Sequence, residues 1–463
     1  MGASDGTIRC MPETSRRTQR FLGRLPALAM ASIVASVAAY LALALTRPAT
    51  MWWLGDLRVY QAGGRAILDG RGRLYTMSVG MAHLPFTYTP CAALLFTPLA
   101  WLPWGVLRWV SVGGNLALLT LGAYLAWGMV GLRGAGRRAA AAGSAAVLLW
   151  TEPVQETLRF GQINLFLLTL ILADLSRPPG ARLRGCGVGL AAGLKLTPAI
   201  LIPYLFLTGR VREGRNAVLA LAGGLFVAFA VLPRESVRYW GGLFYDDTRV
   251  GPVQVPGNQS LRGILIRLTH QMPPSNAVWL LCAGAVGVGG LALAAVIGRG
   301  RSGDSRRELA GLCVTGLTGL LVSPISWTHH WVWIVPGSVL LVDAARRRTG
   351  PIRVPAALAA FALVALTAAV PGRRVELPVP VPTGLIWQVP YREGRELRLA
   401  GWDLVVADAY TLAGLAALIT IAVGLAATRR KWASRPPEAV TLDPPEPVGR
   451  RAPGSSTPTP ARV

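Results

Sequence analysis

Gly55-Asp56-Leu57-Arg58-Val59-Tyr60 sets a carboxylate and a guanidinium two residues apart, just past the first long apolar run, Leu25 to Leu45. A carboxylate near a membrane surface, beside Trp52, Trp53 and Leu54, can accept a proton at neutral pH and so act as a general base. A solvated loop aspartate is the plainer alternative. Lys195 lies between Leu194 and Leu196 in an apolar stretch, where an ammonium costs about 2.5–3.5 kcal/mol on insertion scales. No acidic residue lies within a turn of it. A ligand phosphate is therefore the expected partner, against snorkelling or pairing with a distant Asp or Glu. His329 and His330 stand among Trp327, Trp331 and Trp333. Adjacent helical residues point about 100° apart, so the two cannot easily chelate one metal. Either one of them binds a phosphate or a sugar hydroxyl, or both belong to an aromatic belt. Gln162, Asn164, Asn258 and Gln259 offer the mixed donors and acceptors that sugar hydroxyls need, although carboxamides at span ends also serve as helix caps. Tyr60, Tyr88 and Glu152 complete the polar groups expected on the same side.

One carboxylate with a few cations and carboxamides, at the lip of an apolar bundle, suits transfer from a lipid-linked sugar. Glycosidases need two carboxylates because the leaving alkoxide must be protonated. A lipid phosphate leaves carrying its own charge and needs cations beside it instead. One base, Asp56, then suffices, and Arg58, Lys195 and a histidine are the candidates to hold the phosphate. No carboxylate cluster is visible beside His329 and His330, so the reaction is expected to be metal-independent, with no cofactor.

The elements that must position these groups are long apolar helices. The chain has 463 residues, 52% hydrophobic and only 15% charged, against about 25% charged in a typical soluble domain. Its net charge of +25 comes largely from arginines clustered between apolar segments, the pattern of the positive-inside rule and not of nucleic-acid binding. Five scattered cysteines, none at CxxC spacing, argue against a disulfide framework or a zinc site. Threading by arginine position gives an all-α polytopic membrane protein of about twelve spans. A basic tail (1–24) and a Pro- and Thr-rich disordered tail (428–463) flank a transmembrane domain (25–427), with both ends cytoplasmic. The first outer loop, Thr50 to Pro90, carries a short amphipathic helix over Leu57 to Leu68. Cys91 to Leu102 is too short to span and reads as a dipping helix. Cys186 to Leu207 reads as two short helices broken near Lys195, a geometry tolerated only where it lines a cavity or is buried in protein. The polar candidates then share the outer face. A transporter or lipid flippase would instead need a midplane site open to both sides.

The blocks at 55–64, 84–99, 150–153, 161–164, 193–198, 258–263 and 323–333 together resemble glycosyltransferase family 87. These blocks read GDLRVYQAGG, LPFTYTPCAALLFTPL, WTEP, GQIN, GLKLTP, NQSLRG and SPISWTHHWVW. The resemblance covers about residues 25 to 425. It implies a GT-C fold with a large first periplasmic loop bearing short interfacial helices, in the plasma membrane, with a periplasmic active site. Within the family, the Trp-Thr-Glu-Pro and His-His blocks look most like members acting on phosphatidylinositol mannosides. That implies polyprenyl-phosphate-mannose as donor, a phosphatidylinositol mannoside as acceptor and an α-1,2 linkage. Sibling members acting on lipomannan or arabinan are the alternatives. The resemblance matches Asp56 to the catalytic aspartate, and Lys195 and His329 to the donor phosphate, with His330 adjacent. Thr89 replaces a proline of the family's pattern, which is expected to loosen that loop slightly.

Overall fold

A computed structural model of the chain describes residues 13–70, 72–299, 304–347, 353–372 and 381–433. The Pro- and Thr-rich tail from Ser434, and Arg373 and Arg374 of the third outer loop, lie outside the described residues. Residues 1–418 and 419–463 form two units; the second is described only over the end of the Ala409–Ala433 helix.

The described residues are predominantly helical, with one short antiparallel hairpin pairing Val370–Gly372 with Val381–Thr383. Among the described residues, five helices are long and apolar enough to cross a membrane: Pro26–Thr46, Trp104–Met129, Val211–Val231, Asn276–Gly298 and Ala409–Thr428. A sixth crossing results if Glu152–Phe160 and Asn164–Leu175, bent by 114° against each other, count as one span. Other apolar segments form helices too short for that test, such as Gly134–Leu148 and Arg353–Leu366. These helices turn large apolar side chains outward; Leu281 and Phe226 are 74% and 73% exposed. Water would not tolerate such continuous apolar surface, whereas lipid supplies the missing cover. Inside, small residues let helices approach closely. A Cβ on Gly290 would collide with Thr318 Oγ1, and one on Gly189 with the Ala217 carbonyl oxygen.

The arginine-rich turns meet at one end of the helices. Arg184 bonds Glu308 (2.7 Å) and Glu213 (3.1 Å), while Arg306 and Arg347 hold Asp343 and both donate to the Val130 carbonyl. Asn164–Leu175 runs toward that end: Asp174, near its C-terminus, accepts from the Gly185 and Val188 amides there. Asn164, at its start, belongs to the site described next. Ser305–Val322 runs the opposite way, from Glu308 at the arginine end toward Ser323.

Two local features prepare that site. Gly161 ends Glu152–Phe160 in the left-handed region (φ 70°), and a Cβ there would stand 2.7 Å from that of Leu57. Only glycine accepts that conformation at so close an approach. Further along, Cys186–Leu194 stops at Lys195, which is extended (φ −142°, ψ 128°) before the chain turns again at Thr197–Ile200. Pro198 cannot donate to a continuing helix, so the interruption is written into Lys195-Leu196-Thr197-Pro198.

Candidate active site

A cavity of about 1070 Å³ opens between these elements, and Asp56, Tyr88, Gln162, Lys195, His329 and His330 all line it. Asp56 sits in the first turn of Gly55–Leu68. Leu54, just before that helix, is held at φ 49°, and its amide donates to the Arg159 carbonyl at 2.7 Å. A bulky residue in the left-handed region stores strain, which surrounding contacts must sustain. Here the strained residue aims the carboxylate into the cavity.

Lys195 Nζ lies 3.0 Å from Asn164 Oδ1 and 3.0 Å from His330 Nε2. An ammonium only donates, so His330 Nε2 is the acceptor and its proton sits on Nδ1. Asn164 Nδ2 donates to the His329 carbonyl at 2.9 Å, which ties the lysine and the histidine pair to one carboxamide. The His329 ring packs 5.3 Å from Phe160, and its Nε2 is buried without a hydrogen-bond partner. Burial, and then the charge of Lys195, hold both imidazoles well below their ordinary pKa. At neutral pH they are hydrogen-bonding groups, and the cation of the cluster is Lys195.

Tyr60 and Tyr88 hydroxyls approach to 2.7 Å, and both lie within reach of Gln162 Oε1, at 3.1 and 2.9 Å; with one proton each, one donates to the other and the second to the carboxamide oxygen. Tyr60 stands behind the cavity wall, stacked on Phe96 at 4.3 Å. The Gln162 side chain shares the cavity lining with Asp56 and acts on its carboxyl. Burial pushes the Asp56 carboxyl up to about 6, while Gln162 and the Lys195 charge pull it back. A base poised there is mostly ionised at pH 7 yet still has appreciable proton affinity.

Other residues expected at the site are elsewhere. Arg58 is exposed, with its guanidinium 4.2 Å from the Trp104 ring centroid. Two residues along a helix is about 200°, so Arg58 faces away from Asp56 and cannot share its ligand. Glu152 is buried and accepts from Trp387 Nε1 (2.5 Å) and Tyr410 OH (2.6 Å), outside the cavity lining. Asn258 and Gln259 are fully buried, and backbone partners take up their carboxamides. Asn258 binds the Ser326 amide and the Val253 carbonyl, and Gln259 binds the Pro256 and Ala407 carbonyls and the Tyr410 and Thr411 amides. Asn258 thereby braces the turn at Pro324 and Ser326, just before the histidines, and Gln259 ties its own loop to the 407–411 segment; neither carboxamide lines the cavity. Thr89 tightens its loop where loosening was expected. Its hydroxyl donates to the Gly193 carbonyl at 2.6 Å and caps the Pro90–Phe96 helix through the Ala92 amide at 3.1 Å.

The sequence reading passed over Glu156 and Arg159, which also line the cavity. They form an ion pair at 3.4 Å, and Arg159 Nε donates to the Thr50 carbonyl at 3.0 Å. Their signal was an i, i+3 charge pair between two apolar runs, just before Gly161. Arg249 also lines the cavity and donates to the Tyr75 and Phe86 carbonyls.

A desolvated carboxylate and an ammonium over one cavity, among helices apolar enough to cross a membrane, are the working parts of a membrane-embedded glycosyltransferase. The model of glycosyltransferase family 87 matches residues 86–324, and the chain belongs to that family. Tyr88, Gln162 and Lys195 lie within the matched segment, whereas Asp56, His329 and His330 flank it. The chain is 35% identical over 316 residues to the polyprenol-phosphate-mannose-dependent alpha-(1-2)-phosphatidylinositol mannoside mannosyltransferase of Mycolicibacterium smegmatis, covering 63% of this chain and 70% of the relative. The Mycobacterium tuberculosis protein of the same name is 36% identical over 308 residues, covering 62% and 69%. The pentamannoside mannosyltransferase of M. smegmatis is 36% identical over 322 residues, covering 68% and 75%. No solved structure matches the chain significantly.

Proposed function

We propose that this chain transfers mannose from polyprenyl-phosphate-mannose to a phosphatidylinositol mannoside, forming an α-1,2 linkage with inversion, at the periplasmic face of a plasma membrane that it crosses about twelve times. The observation that carries the reading is the meeting of Asp56 and Lys195 on one cavity, in a chain whose relatives share that named activity. Asp56 takes the proton of the acceptor hydroxyl as its oxygen attacks the anomeric carbon. The bond from that carbon to the phosphate oxygen breaks on the opposite side. Polyprenyl phosphate leaves with the electron pair, beside the Lys195 ammonium and the His329 and His330 imidazoles. The leaving group is already an anion, so neither a second acid nor a metal is required. The exposed apolar residues around the bundle, and Leu196 at the cavity edge, suit a donor and an acceptor that both arrive in lipid.

One relative is named for a phosphatidylinositol mannoside and another, about equally similar, for the pentamannoside; the family resemblance implies the tetramannosylated lipid, so tetra- and pentamannosylated lipids are the two acceptors to test. The test is incubation of purified protein, in vesicles, with labelled polyprenyl-phosphomannose and each purified mannolipid. One labelled product, sensitive to α-1,2-mannosidase, is expected. No labelled mannolipid with either acceptor, while lipomannan or an arabinan acceptor becomes labelled, would move the chain to a sibling activity.

A further inference from the structure

The Tyr60–Tyr88–Gln162 cluster has one feature that transfer itself does not require: three polar side chains are spent on one another beside the base. A carboxamide has an oxygen that only accepts and a nitrogen that only donates, so its two faces are not interchangeable. Two phenols, 2.9 and 3.1 Å from Gln162 Oε1 and 2.7 Å from each other, share two protons over three contacts, so one donates to the other and the relay ends on that oxygen. Turned over, the amide would present its NH2 to the phenol oxygens and leave one phenolic proton without an acceptor in a buried site. Its oxygen would then face the Asp56 carboxylate. Each of those changes strands a buried polar group, which costs more than an ordinary hydrogen bond contributes.

We propose that Tyr60 and Tyr88 are positioning residues for the base: their hydroxyls fix the Gln162 carboxamide with its NH2 turned to Asp56, and so hold Asp56 as the carboxylate. The inference rests on Asp56 being the base of the proposed reaction. Other ionisable groups around Asp56 are few. The elements packed on Gly55–Leu68 contribute Glu152, Glu156 and Arg159 from Glu152–Phe160, Cys91 from Pro90–Phe96 and no charged side chain from Thr97–Trp101; Glu152 is turned to Trp387 and Tyr410. Across the cavity stand Lys195, His329 and His330. Glu156 is paired with Arg159 and Lys195 is shared with Asn164 and His330, so Gln162 is the neutral donor available to the carboxylate. Phenylalanine at 60 and 88 keeps both rings, including the stack on Phe96, and removes only the hydroxyls.

The experiment uses the full chain in nanodiscs and reads the Asp56 carboxyl stretch by infrared difference against Asp56→Asn, as a function of pH. In the Tyr60→Phe/Tyr88→Phe double variant the midpoint should rise by about one pH unit, the size expected for losing one charge-assisted hydrogen bond. Gln162→Leu should raise it equally, and combining all three substitutions should raise it no further, because the phenols act through Gln162. Transfer activity should lose its acid side by the same shift, with the apparent donor KM unchanged. An unmoved midpoint, or shifts that add in the combined variant, would overturn the proposal. So would a loss of rate equal at every pH, which would assign the hydroxyls to substrate contact. Should the double variant not fold, Tyr88→Phe alone must shift the midpoint in the same direction by a smaller amount, and no shift refutes the idea. The infrared midpoint needs no substrate. A wild-type protein that transfers no mannose would therefore defeat the functional reading while this measurement still decides the present one.

Discussion

The sharpest consequence of the site concerns the pH dependence of transfer. Burial raises the Asp56 carboxyl to about 6, whereas a solvated aspartate titrates near 3.9. A base works only when ionised, so kcat/KM should climb with unit slope on the acid side and level off above about pH 6. At pH 5 about one tenth of the plateau should remain, against about nine tenths for an ordinary aspartate. The same shift has the opposite sign for folding. A carboxyl whose pKa is raised on folding stabilises the folded chain when protonated, a contribution complete below about pH 4 and lost as pH rises through about 6. Activity lost between pH 6 and 5 therefore cannot be ascribed to Asp56 loosening the fold. Replacing the base by its near-isostere, Asp56→Asn, should lower kcat by about 10²- to 10⁴-fold and erase the acid limb. The assay is initial-rate transfer of labelled mannose in vesicles from pH 4.5 to 8, with thermal stability followed in parallel. An acid limb near pH 4, or an Asp56→Asn variant keeping more than about a tenth of the wild-type rate, would refute the assignment.

Lys195→Met should lower kcat/KM for the donor by about 10²- to 10³-fold, the usual loss for one preorganised donor to developing charge; an unchanged donor dependence would remove Lys195 from the phosphate. A chelator such as EDTA should leave the initial rate unchanged, and a rate restored only by added divalent cation would reject metal-independence. Arg267 is fully buried against Asp408 and three carbonyls, so Arg267→Met should destabilise by about 3–5 kcal/mol. Adding Asp408→Leu should restore part of that; a melting temperature in detergent lower still in the double variant would contradict the pairing argument. Gly161→Ala should cost about 1–3 kcal/mol from its left-handed backbone and reduce transfer through displacement of Gln162, seen as parallel losses in melting temperature and rate.

Several of these elements were legible in the sequence because one residue broke a strong pattern. A lysine in an apolar run, followed by Thr-Pro, marks an interruption on physical grounds, and Asp56 beside three apolar residues marks a desolvated acid. The number of spans was less legible. A count of about twelve by window length accepts segments such as Gly134–Leu148 and Arg353–Leu366, whose lengths of 15 and 14 residues do not by themselves distinguish a crossing from a buried helix. Glu152, Asn258 and Gln259 were misplaced for another reason. A polar side chain at a helix end carries the same pattern whether it faces a cavity or a stray carbonyl, and only the backbone of distant segments decides. Arg58 was decidable, since helical geometry alone turns it away from Asp56. Glu156 and Arg159 went unread because an i, i+3 ion pair resembles ordinary surface decoration until its helix is known to be buried.

The Thr89 hydroxyl, bonded to the carbonyl that ends the helix before Lys195, ties the movement of two distant parts of the chain. The 84–90 loop cannot lift like a flap without stranding that carbonyl, at a cost of about 1–3 kcal/mol, or dragging the Lys195 ammonium away from Asn164 and His330. A bulky lipid is therefore better admitted past Leu196 and Ile200, which also line the cavity, while the 84–90 loop stays in place. Turnover under this arrangement would follow the fluidity of the surrounding bilayer more closely than the flexibility of the outer loop.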